Sequence, residues 1–429
     1  MSDRQAEGPL YPFGRDVVQC PYAHMAELRE TQPVYHVGDL PFYMVTTYAD
    51  VEAVIADPET WSSTREYAPY AAIDYISSDP DIKAIYDELP DTYGTLTFAD
   101  DPAHAWQRKT VADWFTPRAI RTNWQPLIDR LVGELLSQFE DKGSFDMMKD
   151  FSIPLPCMVI AEILGFDRDR VPDLKRWSDA FLRAPAGASN KEAWLKRARE
   201  HVECVRYLDD EIADRLARPE QRDLLGVMVK KTVEGGNVGG DPTLLLDEVR
   251  SMAHGMLVGG NETTTQLIGQ MTYAILNTPG LWERLRNSPD LVNKTVEEGL
   301  RFTTPAFGTF RWATHDTEIR ETPIPKESVS HLVLGSANRD PEVFANPEEF
   351  DVDRPNVSKH LALGTGVHVC LGGNLARAEA RTALAAMLRR LPNLKVDPDF
   401  VLDYGASLNN RALSTLPMTF DAPVLASTT

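Results

Sequence analysis

The sequence predicts a mainly α-helical fold with a small β-rich lobe. Between residues 124 and 234 the apolar side chains recur three and four positions apart, which is typical of helices that bury one face. Residues 244–277 form the longest helical candidate, which at 1.5 Å per residue would extend for about 50 Å. The remaining patterns place helical bulk at 100–302 and 371–392 and strands near 34–60 and 305–335.

Composition and charge narrow the class of protein. The chain has 429 residues, and its net charge of −20 disfavours nucleic acid or an anionic membrane as the main partner. No run of about 20 uninterrupted apolar residues is present, and the first residues lack an apolar signal core. The four cysteines are widely scattered, which fits a reducing compartment and argues against disulfides or an iron–sulfur cluster. We therefore expect a cytoplasmic protein without a membrane anchor.

Residues 62–101 form the least regular part, rich in Tyr, Pro, Ser and acidic residues. Loops on a rigid scaffold often carry recognition, so Tyr75 and Phe98 are candidates for substrate contact, although either ring could merely pack the loop onto the body. Arg65 and Lys83 are the only basic residues in this stretch, which disfavours an anionic substrate. Two polar, glycine-bearing gaps at 185–192 and 234–242 predict further loops.

Two charged pairs lie at helical spacing. His104 and Arg108 are four residues apart, so they share a helix face. Glu298 and Arg301 are three residues apart and also share a face. Either pair could simply be exposed to solvent, where an ion pair contributes under about 1 kcal/mol.

The centre of the long helical candidate, Gly-Gly-Asn-Glu-Thr-Thr at residues 259–264, is unusual for a helix. Two adjacent glycines cost roughly 1–2 kcal/mol of helix propensity, and the threonines add to that cost. A buried helix that tolerates such a segment usually has a kink there or a ligand close to its backbone.

One cysteine stands apart from the others. Residues 360–377 place Cys370 after a glycine-rich run and just before a helical pattern. Gly364, Gly366 and Gly372 permit backbone torsions and close approaches that a side chain would resist. A cysteine at a helix start lies near unpaired N–H groups and the positive end of the dipole, which favour the thiolate, a good ligand for haem iron. A lone cysteine is otherwise more often an inert buried residue.

The Gly-x-Gly-x-His-x-Cys-x-Gly pattern of residues 364–372 resembles the haem-binding loop of the cytochrome P450 family, whose cysteine is the proximal iron ligand. Four other segments resemble family motifs in the family's order: the His-x-x-x-Arg pair, the segment 259–264, the Glu-x-x-Arg pair and the Ala-Asn-Arg-Asp-Pro run at 337–341. One departure is Leu363, where the family usually has Phe. The resemblance implies the cytochrome P450 fold in a single domain over 1–429, with haem b between the central helix and the cysteine-loop helix.

The resemblance also implies roles for individual residues. Glu262 and Thr263 would relay protons to oxygen, while Glu298, Arg301 and Arg354 would form a buried structural network. Haem would be bound by His104, Arg108, Gly259, Arg311, Leu363, Gly364, His368, Cys370 and Gly372, with Cys370 as the metal ligand. The substrate would meet Tyr75, Phe98, Gly255, Val258, Ala306, Phe307 and Thr309.

The implied reaction is monooxygenation, in which O2 is the co-substrate and a neutral lipophile such as a terpenoid, steroid or aromatic compound is hydroxylated or oxidatively dealkylated. The chain is too short for a fused flavin reductase, so we expect electrons to come from a separate ferredoxin and its NAD(P)H-dependent reductase. We also expect the protein to be a monomer. Arg108, Lys109, Arg377 and Arg381 are candidates for a docking patch, or simply solvated charges. Two alternatives stay open: a peroxide-driven peroxygenase of the same family and a non-catalytic haem-binding protein.

Overall fold

Helices make up most of the protein, as the sequence predicts. The computed structural model describes residues 17, 19–64, 79–89, 96–182, 191–235, 242–405 and 410–421. Its α-helices are α1 (Tyr22–Thr31), α2 (Tyr48–Ala56), α3 (Pro80–Tyr86), α4 (Ala103–Val111), α5 (Pro117–Ala119), α6 (Gln125–Leu136), α7 (Pro154–Leu164), α8 (Val171–Leu182), α9 (Lys191–Ala217), α10 (Leu224–Gly235), α11 (Pro242–Leu276), α12 (Leu281–Asn287), α13 (Val292–Thr303), α14 (Leu334–Ala337) and α15 (Gly373–Arg390). Within these described ranges, none of the helices is both long and apolar enough to span a membrane.

The strands form two small sheets and a hairpin. They are β1 (Val34–His36), β2 (Phe42–Val45), β3 (Trp61–Ser62), β4 (Ser144–Asp146), β5 (Thr309–Ala313), β6 (Thr317–Ile319), β7 (Thr322–Ile324), β8 (Val329–Leu332), β9 (Lys395–Val396) and β10 (Pro417–Thr419). The larger sheet has the order β1-β2-β8-β5-β3, in which only β2 and β8 are parallel. The second has the order β4-β10-β9, and β6 pairs with β7. The β-rich lobe thus joins the two regions where the sequence predicts strands.

The central helix α11 confirms the predicted long helix and runs unbroken through Gly259 and Gly260. A Cβ on Gly260 would lie 3.0 Å from the side chain of Ile160, so this glycine lets α7 pack closely against α11. A Cβ on Gly259 would meet nothing within 4 Å, because this residue faces open space. Of the two explanations for the glycine pair, the structure therefore favours room for a ligand over a kink.

The irregular stretch predicted at 62–101 contains a helix that the sequence pattern does not predict. Helix α3 begins after Asp79, whose side chain accepts hydrogen bonds from the N–H groups of Asp81 and Ile82. Ile82 is fully buried, so one apolar side chain and a capping residue suffice to hold this short helix. Of the loops predicted at 185–192 and 234–242, residues 183–190 and 236–241 lie outside the described residues, and Lys191 already belongs to α9.

Candidate active site

A cavity of about 500 Å³ is lined by α11 and by the loop that carries Cys370. Segments far apart in the chain contribute to it, since α4, β5 and α15 also reach its wall. All the residues that the sequence suggested for cofactor binding face this cavity: His104, Arg108, Gly259, Arg311, Leu363, Gly364, His368, Cys370 and Gly372.

The cysteine loop is a tight turn ahead of α15. Gly364 and Gly366 have φ angles of 64° and 65°, in the left-handed region where a side chain is strained. The N–H of Cys370 donates to the carbonyl oxygen of Leu363 at 2.8 Å, which closes the turn. The thiol of Cys370 is accessible from the cavity, and a Cβ added to Gly372 would meet nothing within 4 Å. The loop thus presents sulfur beside open space.

The helix start favours the thiolate, as the sequence predicts, because the N–H groups of Gly372 and Gly373 lower the pKa of Cys370, but burial has the larger effect. Burial raises the pKa of the Cys370 thiol, and the N–H groups of Gly372 and Gly373 offset this only in part. Desolvation penalises the charged form of the sulfur more than these two groups stabilise it. A bound metal cation would supply the missing opposite charge, because metal binding displaces the thiol proton.

Two arginines at the cavity, Arg108 and Arg311, lack a carboxylate partner in the part of the chain that the structure describes. Among the described residues, no carboxylate oxygen lies within 4.0 Å of the guanidinium groups of Arg108 or Arg311. Arg311 is 5% exposed, and its Nη1 donates to the carbonyl oxygen of Phe310 at 2.7 Å. Burial lowers the pKa of Arg311 to about 10, although Asp100 acts in the opposite direction. A buried cation of this kind favours an anionic ligand.

Two histidines lie beside these arginines. The rings of His104 and His368 are 4.1 Å apart, and Nε2 of His368 lies 3.0 Å from Oγ of Ser63. Burial, with Arg311 and His104 as positive neighbours, lowers the pKa of His368 to about 4, so that its ring is neutral near pH 7. Nδ1 of His104 lies 3.3 Å from the carboxylate of Asp101.

These residues fit haem b. One thiol faces the cavity for the iron, and two guanidinium groups that lack a carboxylate partner among the described residues can bind the two propionates together with the neighbouring imidazoles. Open space beside Gly259 and Gly372 leaves room for a flat ring between α11 and the cysteine loop.

The predicted acid–alcohol pair divides between the cavity and the protein interior. Thr263 lines the cavity, and its hydroxyl donates to the carbonyl oxygen of Gly259 at 2.9 Å. Glu262 does not line the cavity and is 1% exposed. Its Oε2 lies 3.0 Å from Nζ of Lys175, and its Oε1 accepts a hydrogen bond of 3.1 Å from Nε2 of Gln266. The carboxylate is therefore held just behind the cavity wall.

The suggested substrate residues divide in the same way. Phe98, Gly255, Ala306 and Thr309 line the cavity, whereas Val258 and Phe307 do not. Val258 precedes Gly259 on α11, so its side chain points about 100° away from the direction of Gly259. The ring of Phe307 packs against Gly335 instead, since a Cβ added to Gly335 would lie 2.1 Å from the ring. Tyr75 lies outside the described residues. Further lining residues went unnoticed in the sequence: Ile55, Leu96, Thr97, Phe181, Leu182, Met256, Phe310 and Asn410.

A buried ion network lies behind the cavity. Nη2 of Arg301 lies 2.6 Å from Oε1 of Glu298, and Nε of Arg354 lies 3.2 Å from Oε2 of the same carboxylate. Both arginines also donate to the carbonyl oxygen of Glu349, and Arg301 donates to that of Asn338. The network fastens α13 to the segment that precedes the cysteine loop.

The chain is similar to known proteins of one family. The family profile described as Cytochrome P450 matches residues 158–399, more than half of the chain. The chain is 33% identical to the putative cytochrome P450 YjiB of Bacillus subtilis (87% of this chain, 88% of that one) and 32% identical to the 6-deoxyerythronolide B hydroxylase of Saccharopolyspora erythraea (93% and 96%). The crystal structure of CYP109E1 from Bacillus megaterium in complex with testosterone superposes with a TM-score of 0.82 at 29% identity, covering 95% of this chain and all of that one.

Proposed function

The chain belongs to the cytochrome P450 family and is a haem-thiolate monooxygenase, and from this premise we propose how its residues support the reaction and what it oxidises. Haem b, when bound, supplies the redox chemistry that activates O2. Cys370 binds the iron, and His104, Arg108, Arg311 and His368 hold the propionates. One observation carries these assignments: the thiol of Cys370 and the hydroxyl of Thr263 face the same cavity from separate elements.

Thr263 and Glu262 deliver protons in this proposal. The Thr263 hydroxyl is positioned to orient water in the cavity, and Glu262 lies next to it behind the wall. Lys175, paired with Glu262, also contacts Asp179, whose side chain is 33% exposed. These groups connect the buried carboxylate to solvent. Glu298, Arg301 and Arg354 have a structural part, holding the backbone that leads to the iron ligand.

We propose a neutral lipophile as the substrate. Away from His104, Arg108, Arg311 and His368, the described residues that line the cavity are apolar or uncharged, among them Leu96, Phe98, Phe181, Met256 and Phe310. No Asp, Glu or Lys is found among the described lining residues, so an ionic substrate would lose hydration without gaining a partner. A terpenoid, a steroid or an aromatic compound meets these conditions, and testosterone is the ligand of one similar structure.

Electrons come, in this proposal, from a separate ferredoxin and its NAD(P)H-dependent reductase. Of the four bases suggested for docking, Lys109 is exposed, whereas Arg108 faces the cavity. Arg377 is paired with Glu297, and Nε of Arg381 donates to the carbonyl oxygen of Arg377. Lys109 is therefore the base best placed to meet an acidic carrier.

A spectral titration followed by turnover tests the function. The panel pairs testosterone with testosterone sulfate and 4-ethylphenol with 4-ethylphenyl phosphate, and we expect only the neutral members to shift the Soret band. A shift produced by the anions alone would contradict the substrate class. Neutral ligands are then incubated with NADPH, O2 and a surrogate ferredoxin system.

We expect product that depends on NADPH and is abolished by Cys370→Ser. Product with hydrogen peroxide but none with NADPH and the ferredoxin system would instead identify a peroxygenase, and no product with any oxidant would identify a non-catalytic haem protein.

A further inference from the structure

The side-chain amide of Gln266, one turn after Glu262 on α11, is fully hydrogen-bonded. Its Nε2 donates to Oε1 of Glu262 at 3.1 Å and to the carbonyl oxygen of Leu413 at 3.0 Å. Its Oε1 accepts from the N–H of Leu413 at 2.8 Å and from Nε2 of Gln270 at 3.1 Å. A primary amide has two donors and about two acceptor sites, so none is left over.

These partners allow only one orientation of the amide. Turning the group over would direct its oxygen at two other acceptors, the Glu262 carboxylate and the Leu413 carbonyl. It would also direct its NH2 at the N–H of Leu413. Gln266 is 1% exposed, so water does not compensate for such a mismatch. The amide therefore holds Oε1 of Glu262 in place, while Lys175 holds Oε2.

The segment bonded by Gln266 is continuous with the cavity wall, since Leu413 lies three residues after Asn410. Gln270, the next residue along this face, donates to the carbonyl oxygen of Arg411 at 2.6 Å. Directly before Arg411, Asn410 lines the cavity and forms a β-bridge with Ala306, which also lines it. We call Glu262, Gln266 and Gln270 the amide ladder. Their side chains are four residues apart on α11, and each is hydrogen-bonded to its neighbour in this series.

We infer that Gln266 is a positioning residue of the monooxygenase: it orients Glu262 for proton delivery and couples that orientation to residues 411–413, which directly follow the cavity-lining Asn410. The inference rests on the proposed function. Productive turnover is RH + O2 + NADPH + H⁺ → ROH + H2O + NADP⁺, and it competes with O2 + NADPH + H⁺ → H2O2 + NADP⁺. Both reactions consume two electrons, and correct proton delivery decides between them.

Replacing the amide of Gln266 by the thioether of methionine, which has a similar length, removes the hydrogen bonds of Gln266 to Glu262, Gln270 and Leu413. For Gln266→Met we expect product per NADPH to fall about tenfold, below the usual ~100-fold contribution of a positioned acid because Glu262 itself remains. Hydrogen peroxide should account for the missing electrons. The reaction RH + H2O2 → ROH + H2O brings its own protons, so its rate should stay within about twofold of wild type. The substrate is testosterone or 4-ethylphenol, whichever the wild type oxidises faster.

Gln270→Met is the matched control. It removes the hydrogen bonds to Arg411 and to Oε1 of Gln266 but keeps the bond from Gln266 to Glu262, so we expect a smaller loss of product per NADPH than in Gln266→Met. Hydrogen–deuterium exchange of peptides spanning 410–416 supplies a readout independent of turnover, and it should be faster in both variants. If Gln266→Met does not incorporate haem, Gln266→Asn takes its place, since it withdraws the same amide by about 1.5 Å, one methylene.

Four results would overturn the inference while leaving the function intact. These are unchanged product per NADPH in Gln266→Met, an equal loss in Gln270→Met, an equal loss of the peroxide-supported rate, and unchanged exchange at 410–416. If the wild type itself shows no turnover with NADPH and ferredoxin, the proposed function fails before the inference is tested.

Discussion

At the scale of single residues, the Thr263 hydroxyl is a polar group of α11 that lines the cavity and donates to the carbonyl oxygen of Gly259. For Thr263→Ala we expect NADPH consumption to continue while product is replaced by hydrogen peroxide, because the methyl group cannot orient water. Parallel assays of NADPH, product and peroxide measure this. Thr263→Ser, which keeps the hydroxyl, is the control, and coupling that is unchanged in Thr263→Ala would argue against the relay.

Arg311 provides a prediction of two opposite effects. Its guanidinium is buried without a carboxylate partner among the described residues, which costs stability in the haem-free chain. We expect Arg311→Leu to stabilise the haem-free protein by about 1–3 kcal/mol but to weaken haem retention, since a propionate loses its cation. Urea unfolding and the rate of haem transfer to apomyoglobin measure the two effects. If Arg311→Leu changed the stability of the haem-free protein and the retention of haem in the same direction, the assignment would be contradicted.

The residues of the site differ in how far the sequence could reveal them. Cys370 and Thr263 sit in motifs, so their place at the cavity was predictable. Met256 is three residues before Gly259, and helical spacing could have indicated it in place of Val258. Phe181, Phe310 and Asn410 reach the cavity from distant segments, and no local pattern marks such a meeting.

At the scale of elements, Glu297 joins α13 to α15, the helix that follows the cysteine loop. Its carboxylate lies 2.7 Å from Nε of Arg377 and 3.2 Å from Nε2 of His360. Burial raises the pKa of Glu297, but hydrogen bonds from His360 and Arg377 outweigh it and bring the value down to about 2. The folded protein therefore holds the charged form more strongly than the unfolded chain does.

This depressed pKa predicts a pH dependence. The stabilisation is fully present above the ordinary pKa of 4.5 and is lost as the pH falls from there towards about 2. We expect Glu297→Gln to lower the free energy of unfolding at pH 7 and to approach wild type as the pH is lowered through this window. Denaturant unfolding at several pH values checks this, and a difference that persists unchanged down to pH 2 would contradict it.

Elements with a strong local signal were predictable, and those made by distant partners were not. The period of apolar residues indicated α11 almost to its ends. Strand β4 lies in a region predicted to be helical, because its three residues become a strand only by pairing with β10 from the other end of the chain. Helix α3 carries a capping signal at Asp79 but too few apolar residues to stand out.

At the scale of the whole molecule, the cavity is bounded by residues from position 55 to position 410, so haem would hold many segments together. We expect removal of haem to lower the free energy of unfolding, by about 4 kcal/mol for a ligand present at a thousand times its Kd. Comparing chemical unfolding of the haem-loaded and haem-free protein measures the gap. It should be narrower in Arg311→Leu, and an equal gap in both would contradict the role of Arg311.

The bond between Gln266 and Leu413 also sets an order of events during synthesis. These residues are 147 positions apart, which a ribosome covers in roughly 7–30 s at about 5–20 residues per second. During that interval the amide of Gln266 in the nascent central helix lacks its partner Leu413. The part of the cavity wall that Asn410 forms has not yet been synthesised. We expect ribosome-arrested chains that stop before residue 400 to retain haem poorly, and tight retention by such chains would show that the last wall is dispensable. Poor retention by the arrested chains would mean that haem is held tightly only when translation is nearly complete.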